Sequence, residues 1–184
     1  MGFWAKIEGT KKLQANIRKL GDVPKKYVTA ASRKGMNIVL KSARADAPYR
    51  TGDLRRGMIL IGERTRPASK AKKIYRIVFN RMMNDIFQVP YGVGTKDDYV
   101  DKTLYTKGSK QPTRKRVTGY KKIAYYPYSV EYGYVAKHKS STVVVPGEMF
   151  IHRALDGNVG QVKAAIIDTM IAKTDKAIKE AGIK

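Results

Sequence analysis

The densest group of chemically active side chains lies in residues 107–122, KGSKQPTRKRVTGYKK. This segment has seven lysines and arginines, no acid, and a tyrosine near its end. Clustered cations contact phosphate groups and tyrosine rings can stack on nucleic-acid bases, so the segment could bind an acidic partner. A solvated surface loop is the alternative. The candidate interface or DNA-contact residues, here and just upstream, are Tyr99, Tyr105, Arg114, Lys115, Arg116, Tyr120, Lys121 and Lys122.

Three carboxylates close to this segment could ligate a divalent cation, as a metal-dependent nuclease requires. They are Asp97, Asp98 and Asp101. No histidine or further acid that could act as a general base is near them in the sequence, which favours a solvated acidic turn. With no cysteine and only His138 and His152, a zinc site is not expected. The sequence therefore predicts no catalytic site, no metal and no cofactor.

One acid lies in an otherwise aromatic stretch, YYPYSVEYGY, which has the composition of a strand. Glu131 could be a buried base, but a partner for an arginine is the favoured interpretation. The candidate partners are Arg55, Arg56 and Arg153.

A second basic segment, RADAPYRTGDLRRGM over residues 44–58, surrounds a glycine turn. Its residue types fit three structures: an anion pocket, a loop that grips RNA, or a corner between a helix and a strand. In the corner interpretation Pro48 ends the helix, a turn follows, and Leu54 enters the core. The residues of this structural corner are Pro48, Thr51, Gly52, Asp53 and Leu54.

The net charge of +23 implies an acidic partner such as nucleic acid or an acidic protein. The excess is uneven: residues 1–70 have 17 basic and 5 acidic side chains, and residues 71–125 have 13 and 4. Residues 126–184 have 8 and 6 and are close to neutral. No stretch approaches the roughly 18 apolar residues of a membrane span, so no membrane partner is expected.

Periodicity predicts the elements that carry these side chains. A short helix over residues 7–21 and a long one over residues 22–48 are expected, with Gly21 between them and an apolar stripe from Met36 to Ala47. Strands are expected around residues 57–63, 72–80, 125–134 and 141–147. A C-terminal helix is expected to follow. Gly157 and Gly160 weaken its start, so a break is expected there.

This order predicts an α+β fold in which the helices pack on a mainly antiparallel sheet. Residues 95–122 show no sustained apolar period, so they are expected to form a long basic loop or hairpin, an insertion or arm. The whole chain, residues 1–184, is expected to be a single domain.

Three segments together resemble one family. The segment SARADAPYRTGDLRRGM is similar to a helix-end signature A-P-x-x-T-G-x-L-R-x-S/G, YPYSVEYGY to a strand Y-A-x-x-V-E-F-G-T, and PGEMFIHRALD to A-R-P-F-L-R-P-A-L-D. These signatures are those of tailed-phage morphogenesis proteins, the neck or tail-completion proteins of long-tailed phages. The resemblance covers about residues 1–80 and 123–184.

The resemblance implies a non-enzymatic structural protein of the virion, made in the bacterial host cytoplasm. Such proteins are ring subunits at the head–tail junction and help join the DNA-filled capsid to the tail. The implied partners are further copies in a ring (a hexamer is favoured over a dodecamer), neighbouring connector or head-closure proteins, and tail-terminator or tail-tube proteins. Genomic DNA in the channel is a further candidate partner. The resemblance also implies that residues 47–57 are a structural corner.

Two functions of other classes stay open. A basic nucleic-acid-binding module, similar to a ribosomal protein in its charge, would bind nucleic acid tightly as a monomer in a salt-sensitive way. A metal-dependent nuclease would cleave only with a divalent cation and would lose activity when Asp97, Asp98 or Asp101 is changed to asparagine.

Overall fold

The computed structural model describes residues 10–64, 73–137 and 141–180. Of the two histidines, His138 lies outside the described residues. The helices are α1 (Thr10–Asp46), α2 (Asp53–Gly57), α3 (Asn84–Phe87), α4 (Tyr126–Tyr132), α5 (Phe150–Gly157) and α6 (Val159–Glu180). The strands are β1 (Met58–Gly62), β2 (Tyr75–Phe79), β3 (Gln88–Val93), β4 (Tyr99–Leu104), β5 (Thr113–Thr118), β6 (Tyr120–Tyr125), β7 (Gly133–Lys137) and β8 (Thr142–Pro146).

The predicted α+β class is confirmed, but the sheet is divided. Among the described residues the strands form two-stranded sheets, in which β1 pairs with β2, β3 with β6, β4 with β5, and β7 with β8. The last three pairs are antiparallel. Among the described residues the helices therefore do not lie on one continuous sheet, because each strand pairs with a single other strand.

The two predicted N-terminal helices are one helix, α1, which continues through Gly21 and Pro24. A glycine inside a helix costs only about 1 kcal/mol relative to alanine, so it is a weak stop signal in a helix of this length. The predicted apolar stripe is confirmed in its buried part, since Val39, Leu40, Ala43 and Ala47 all lie in the core.

The segment predicted as a strand around Tyr126–Tyr132 is the helix α4. Pro127 lies in its first turn, where a missing N–H costs little, and Gly133 ends it with a φ of 80°. The buried residues Pro127 and Glu131 are four apart and Ser129 between them is not buried, which fits the period of a helix and not the period of two expected for a strand. The predicted break in the C-terminal helix is confirmed at Asn158, between α5 and α6.

The chain divides into two compact units. One contains residues 1–38, 62–76 and 159–184, and the other contains residues 39–61 and 77–158. In the first unit α1 approaches α6 closely at Gly35, where a Cβ atom would lie 2.9 Å from Ile166 Cγ1. Larger residues at position 35 would therefore push the two helices apart.

The core of the second unit is built around Phe87, which is fully buried. Its ring packs edge-on against Phe79 and Tyr125, with centroid distances of 5.5 and 6.0 Å. Gly57 lies against the same ring, where a side chain would overlap it. Phe87 ends α3, so this packing fixes the short helix beside which the basic hairpin lies.

Candidate functional site

The most basic segment, residues 99–118, forms the antiparallel hairpin β4–β5. Lys102 lies opposite Lys115, and Asp101 lies opposite Arg116. Opposite residues of an antiparallel pair share a face, while consecutive residues alternate between faces. Lys115 therefore belongs to one face of the hairpin, and its two arginine neighbours, Arg114 and Arg116, belong to the other.

The Lys115 face is attached to α3. The Nζ atom of Lys102 lies 2.7 Å from the backbone oxygen of Asp85 and 3.3 Å from its Oδ1, and Lys115 Nζ lies 3.4 Å from the same Oδ1. The hydrogen bond from Lys102 lowers the pKa of the Asp85 carboxyl, with help from the charges of Lys102 and Lys115. Two lysines directly opposite each other repel, and the shared carboxylate offsets this repulsion.

Neutral hydrogen bonds to the backbone of Thr103 in β4 reinforce this attachment. The buried side chain of Asn84 donates to the Thr103 carbonyl oxygen at 3.0 Å, and the Thr103 N–H donates to Gln88 Oε1 at 2.7 Å. We name Asp85, Lys102, Lys115, Asn84 and Gln88 the hairpin anchor. None of these residues except Lys115 was among the sequence candidates.

The opposite face of the hairpin carries two exposed arginines and the half-buried Asp101, and we name Tyr99, Arg114 and Arg116 its outer face. The guanidinium carbon of Arg116 lies 3.9 Å from the centre of the Tyr99 ring, a close cation–π contact. This contact holds the guanidinium in place without occupying its N–H donors. Arg114 is exposed on the same face. A planar guanidinium held in this way is suited to phosphate or carboxylate groups.

The remaining candidate residues lie elsewhere. The ring of Tyr105 lies beneath Arg81, with the guanidinium carbon 5.5 Å from its centre. On the separate β3–β6 ribbon, Tyr120 lies opposite Val93 and Lys122 opposite Tyr91. Val93 is 93% exposed, so this ribbon also presents apolar surface. The candidate set is therefore distributed over several surfaces rather than gathered in one site.

The acidic turn between β3 and β4 is a local structural turn. Asp98 Oδ2 accepts hydrogen bonds from the backbone N–H of Thr95 at 2.7 Å and from its hydroxyl at 3.0 Å. These bonds lower the pKa of Asp98, and Lys121, 3.9 Å away, adds a smaller effect. Among the described residues no cluster of three or more acids or histidines could hold a metal ion.

The corner between α1 and β1 is held by Arg55. Gly52 has a φ of 77° and begins α2, and Leu54 is buried. The guanidinium of Arg55 donates to the Ala47 oxygen at 2.9 and 3.2 Å and to the Ala45 oxygen at 3.2 Å, both carbonyls at the end of α1. Arg56 instead pairs with Asp53 at 2.6 Å in an exposed contact. The donors of Arg55 are thus used within the fold and do not face an empty anion pocket.

The partner predicted for Glu131 is wrong. Its buried carboxylate lies 2.7 Å from His152 Nδ1 and accepts the backbone N–H groups of Ile151 and His152 at 3.1 and 3.2 Å. Glu131 therefore caps the first turn of α5, where the helix presents unpaired N–H donors. Two arginines proposed as partners, Arg55 and Arg56, bind the corner instead, and the third, Arg153, is exposed.

Residues 11–86 match a family model described as "Bacteriophage HK97-gp10, putative tail-component". The match contains the corner segment and ends within α3. The phage resemblance drawn from the sequence is thereby confirmed at the level of this family. The match relates residues 11–86 to a component of the bacteriophage tail.

No curated protein and no solved structure matches the chain. No helix within the described residues is long and apolar enough to cross a membrane.

Proposed function

We propose that this chain, whose residues 11–86 match a bacteriophage tail-component family, is a subunit of the phage neck. In this proposal several copies form a ring at the head–tail junction and help join the DNA-filled capsid to the tail. The family match is the observation that carries the proposal. The YPYSVEYGY and PGEMFIHRALD segments, which lie outside the match and resemble neck proteins, support the more specific position.

The charge of the chain fits a neck position. A ring of chains with a net charge of +23 concentrates positive charge and needs acidic counterparts, whether DNA, ions or neighbouring proteins. DNA passes through the channel of the neck, so the inner wall of such a ring faces the most densely charged polyanion in the particle. We propose that the outer face of β4–β5 contacts this DNA through its phosphates.

The geometry of that face supports a contact without base recognition. Arg114 and Arg116 are two positions apart on one strand, so their Cα atoms are roughly 6.8 Å apart along it. Arginines spaced along a strand at this interval can follow a phosphate backbone, and contacts of this type are independent of sequence. DNA that moves through a neck requires this independence.

Electron microscopy of a phage that carries an amber mutation in this gene tests the neck role. In a nonsuppressor host we expect filled heads and finished tails that are not joined, and plasmid-encoded wild-type protein should restore joined particles. Normal infectious particles without the protein would overturn the proposal. Heads without tails of any kind would indicate a role in tail building instead.

A nucleic-acid-binding module is the second candidate, because the outer face alone could serve it. That candidate predicts tight binding by the isolated monomer and intact virions that lack the protein. Mass spectrometry of purified virions separates the two, since a neck subunit stays in the particle.

A further inference from the structure

The segment from α4 to β8 presents an exposed surface that is apolar and nearly uncharged. We name this surface the apolar patch, and each of its large side chains is at least 49% exposed. The patch includes both faces of the β7–β8 hairpin, and large apolar side chains that are exposed together in one segment mark interaction sites on soluble proteins. Its members are Tyr128, Tyr132, Tyr134, Val135, Val143 and Val144.

The side chains of the apolar patch are arranged by a helix and a hairpin that follow each other directly. The rings of Tyr128 and Tyr132, one turn apart on α4, have centroids 4.6 Å apart. On the hairpin, Val135 lies opposite Val144 on one face, and Tyr134 lies opposite Val145 on the other. Among the described strands β7 and β8 pair only with each other, so both outer edges are free to accept another strand.

The charge of the chain indicates what covers this patch. Residues 126–146 contain one acid, Glu131, which is buried, and two lysines, whereas residues 107–122 contain seven cations and no acid. Two copies of a chain with a net charge of +23 repel each other, and the repulsion is least where the contact surface carries little charge. An acidic partner would instead be drawn to the basic surfaces.

We propose that the apolar patch is the surface on which a second copy of this chain docks. The proposal rests on the neck role only in that a ring requires such a contact, and the observations that carry it are the exposure and charge of the patch. Each copy thus separates its functions: the outer face of β4–β5 binds polyanions, while α4, β7 and β8 bind another copy.

This separation gives the two contacts opposite responses to salt. Salt weakens the binding of cations to DNA phosphates. Binding releases counterions from the DNA, and this release gains less free energy when the surrounding solution already contains much salt. Salt strengthens an apolar contact between like-charged copies, because it shortens the screening length from about 10 Å at 0.1 M to about 3 Å at 1 M. Self-association should therefore rise over the range in which DNA binding falls.

Sedimentation analysis of nuclease-treated protein at several salt concentrations tests the docking surface. The test variant is Val144→Lys, with Val93→Lys as a matched control, because Val93 is an even more exposed strand valine outside the patch. We expect Val144→Lys to weaken self-association by about tenfold or more, since a charge enters an apolar contact, and Val93→Lys to change it by less than about twofold. Val144→Thr, which keeps the size and strand preference, should weaken association by a smaller factor.

Circular dichroism and melting curves of the variants show that each one folds. Wild-type protein that stays monomeric at every salt concentration would overturn the proposal. Equal effects of Val144→Lys and Val93→Lys, or self-association that falls as salt rises, would also overturn it. If Val144→Lys leaves self-association intact but abolishes binding to another neck or tail protein, the patch binds that protein and the proposal is wrong.

Experiment can contradict the neck role and the docking surface independently of each other. A virus with Val144→Lys that forms normal particles, together with protein that no longer associates, would support the docking surface and count against a ring in the neck. Unjoined heads and tails in the amber mutant, together with normal association of Val144→Lys, would support the neck role and count against the docking surface.

Discussion

Arg116 lies across the β4–β5 ladder over the ring of Tyr99, with its guanidinium carbon 3.9 Å from the ring centre. The preceding residue, Lys115, points to the opposite face and lies 3.4 Å from Asp85 Oδ1. Two neighbouring cations of one basic run therefore have different roles. One is exposed and lies over a tyrosine ring, and the other attaches the hairpin to α3.

We expect the double substitution of Arg114 and Arg116 by alanine to reduce DNA binding specifically. Each phosphate contact contributes about 0.9 to the slope of log K against log salt, so the loss of two contacts should reduce the slope by about 1.8. Fluorescence anisotropy of duplex DNA at a series of salt concentrations measures this slope. The double substitution of Lys163 and Lys179 by alanine removes the same charge from α6 and should change the slope by less than half as much. Equal slopes for the two variants would show that the outer face is not a distinct site.

We expect Lys115→Ala and Asp85→Asn to loosen the hairpin without unfolding the protein. The contacts are exposed, so the melting temperature should change little, while amide hydrogen exchange in residues 99–118 should accelerate. Arg114→Ala is the neighbouring control and should leave exchange unchanged, because Arg114 lies on the other face. Unchanged exchange in Lys115→Ala would mean that Lys102 and the neutral hydrogen bonds of Asn84 and Gln88 hold the hairpin without Lys115.

The same anchor should respond to acid. The hydrogen bond from Lys102 holds the pKa of Asp85 below its ordinary value of 3.8 in the folded state. A group whose folded pKa is lowered contributes stability above its unfolded pKa and loses it as the pH falls through the folded pKa. Exchange in residues 99–118 should therefore accelerate as the pH falls below about 3.8, after correction for intrinsic rates. Asp85→Asn should remove part of this response, and a response of unchanged size would show that other carboxyls cause it.

We expect Arg55→Ala to destabilise the fold far more than Arg56→Ala. Arg55 satisfies carbonyl groups at the end of α1, and its loss should lower the free energy of unfolding by about 1–2 kcal/mol. Arg56 makes an exposed pair with Asp53, which is worth less than about 0.5 kcal/mol. Gly52→Val should cost about 1–3 kcal/mol, because a φ of 77° is unfavourable for a β-branched residue. Urea unfolding of the three variants measures these differences, and similar values for the two arginines would contradict the role given to Arg55.

We expect Glu131→Ala to lower the free energy of unfolding by about 2–4 kcal/mol. The change leaves two N–H groups at the start of α5 without their acceptor in a partly buried place. His152→Ala keeps the acceptor and removes a half-exposed ring, so it should cost less than about 1 kcal/mol. Thermal and urea unfolding check both values, and a larger effect of His152→Ala would show that the ion pair, not the helix cap, is the important contact.

The sequence predicted those elements whose local signals agree with their final packing. The apolar stripe of α1, the corner at Gly52 and the break before α6 were all predicted because glycine, proline and apolar spacing act within a few residues. The α4 segment was misassigned, because its three tyrosines suggest a strand while its buried residues repeat every four positions. The contacts of Glu131 and Tyr132 with the start of α5 fit the helical period.

The candidate site was harder to predict because it depends on register. The run TRKR could be recognised as basic, but which of its residues face outward depends on the pairing of β4 with β5. The anchor at Asp85 lies 30 residues from Lys115, and nothing near either residue indicates their contact. The partner of Glu131 was missed for the same reason, since His152 reaches it only when α5 begins beside α4.

Image reconstruction of the head–tail junction in purified virions tests the neck assignment most directly. We predict a closed ring of this chain between the capsid vertex and the tail, with the β4–β5 outer face towards the channel and adjacent copies in contact through α4, β7 and β8. A complete junction in which every density belongs to other proteins would contradict the assignment, as would the absence of this chain from joined particles.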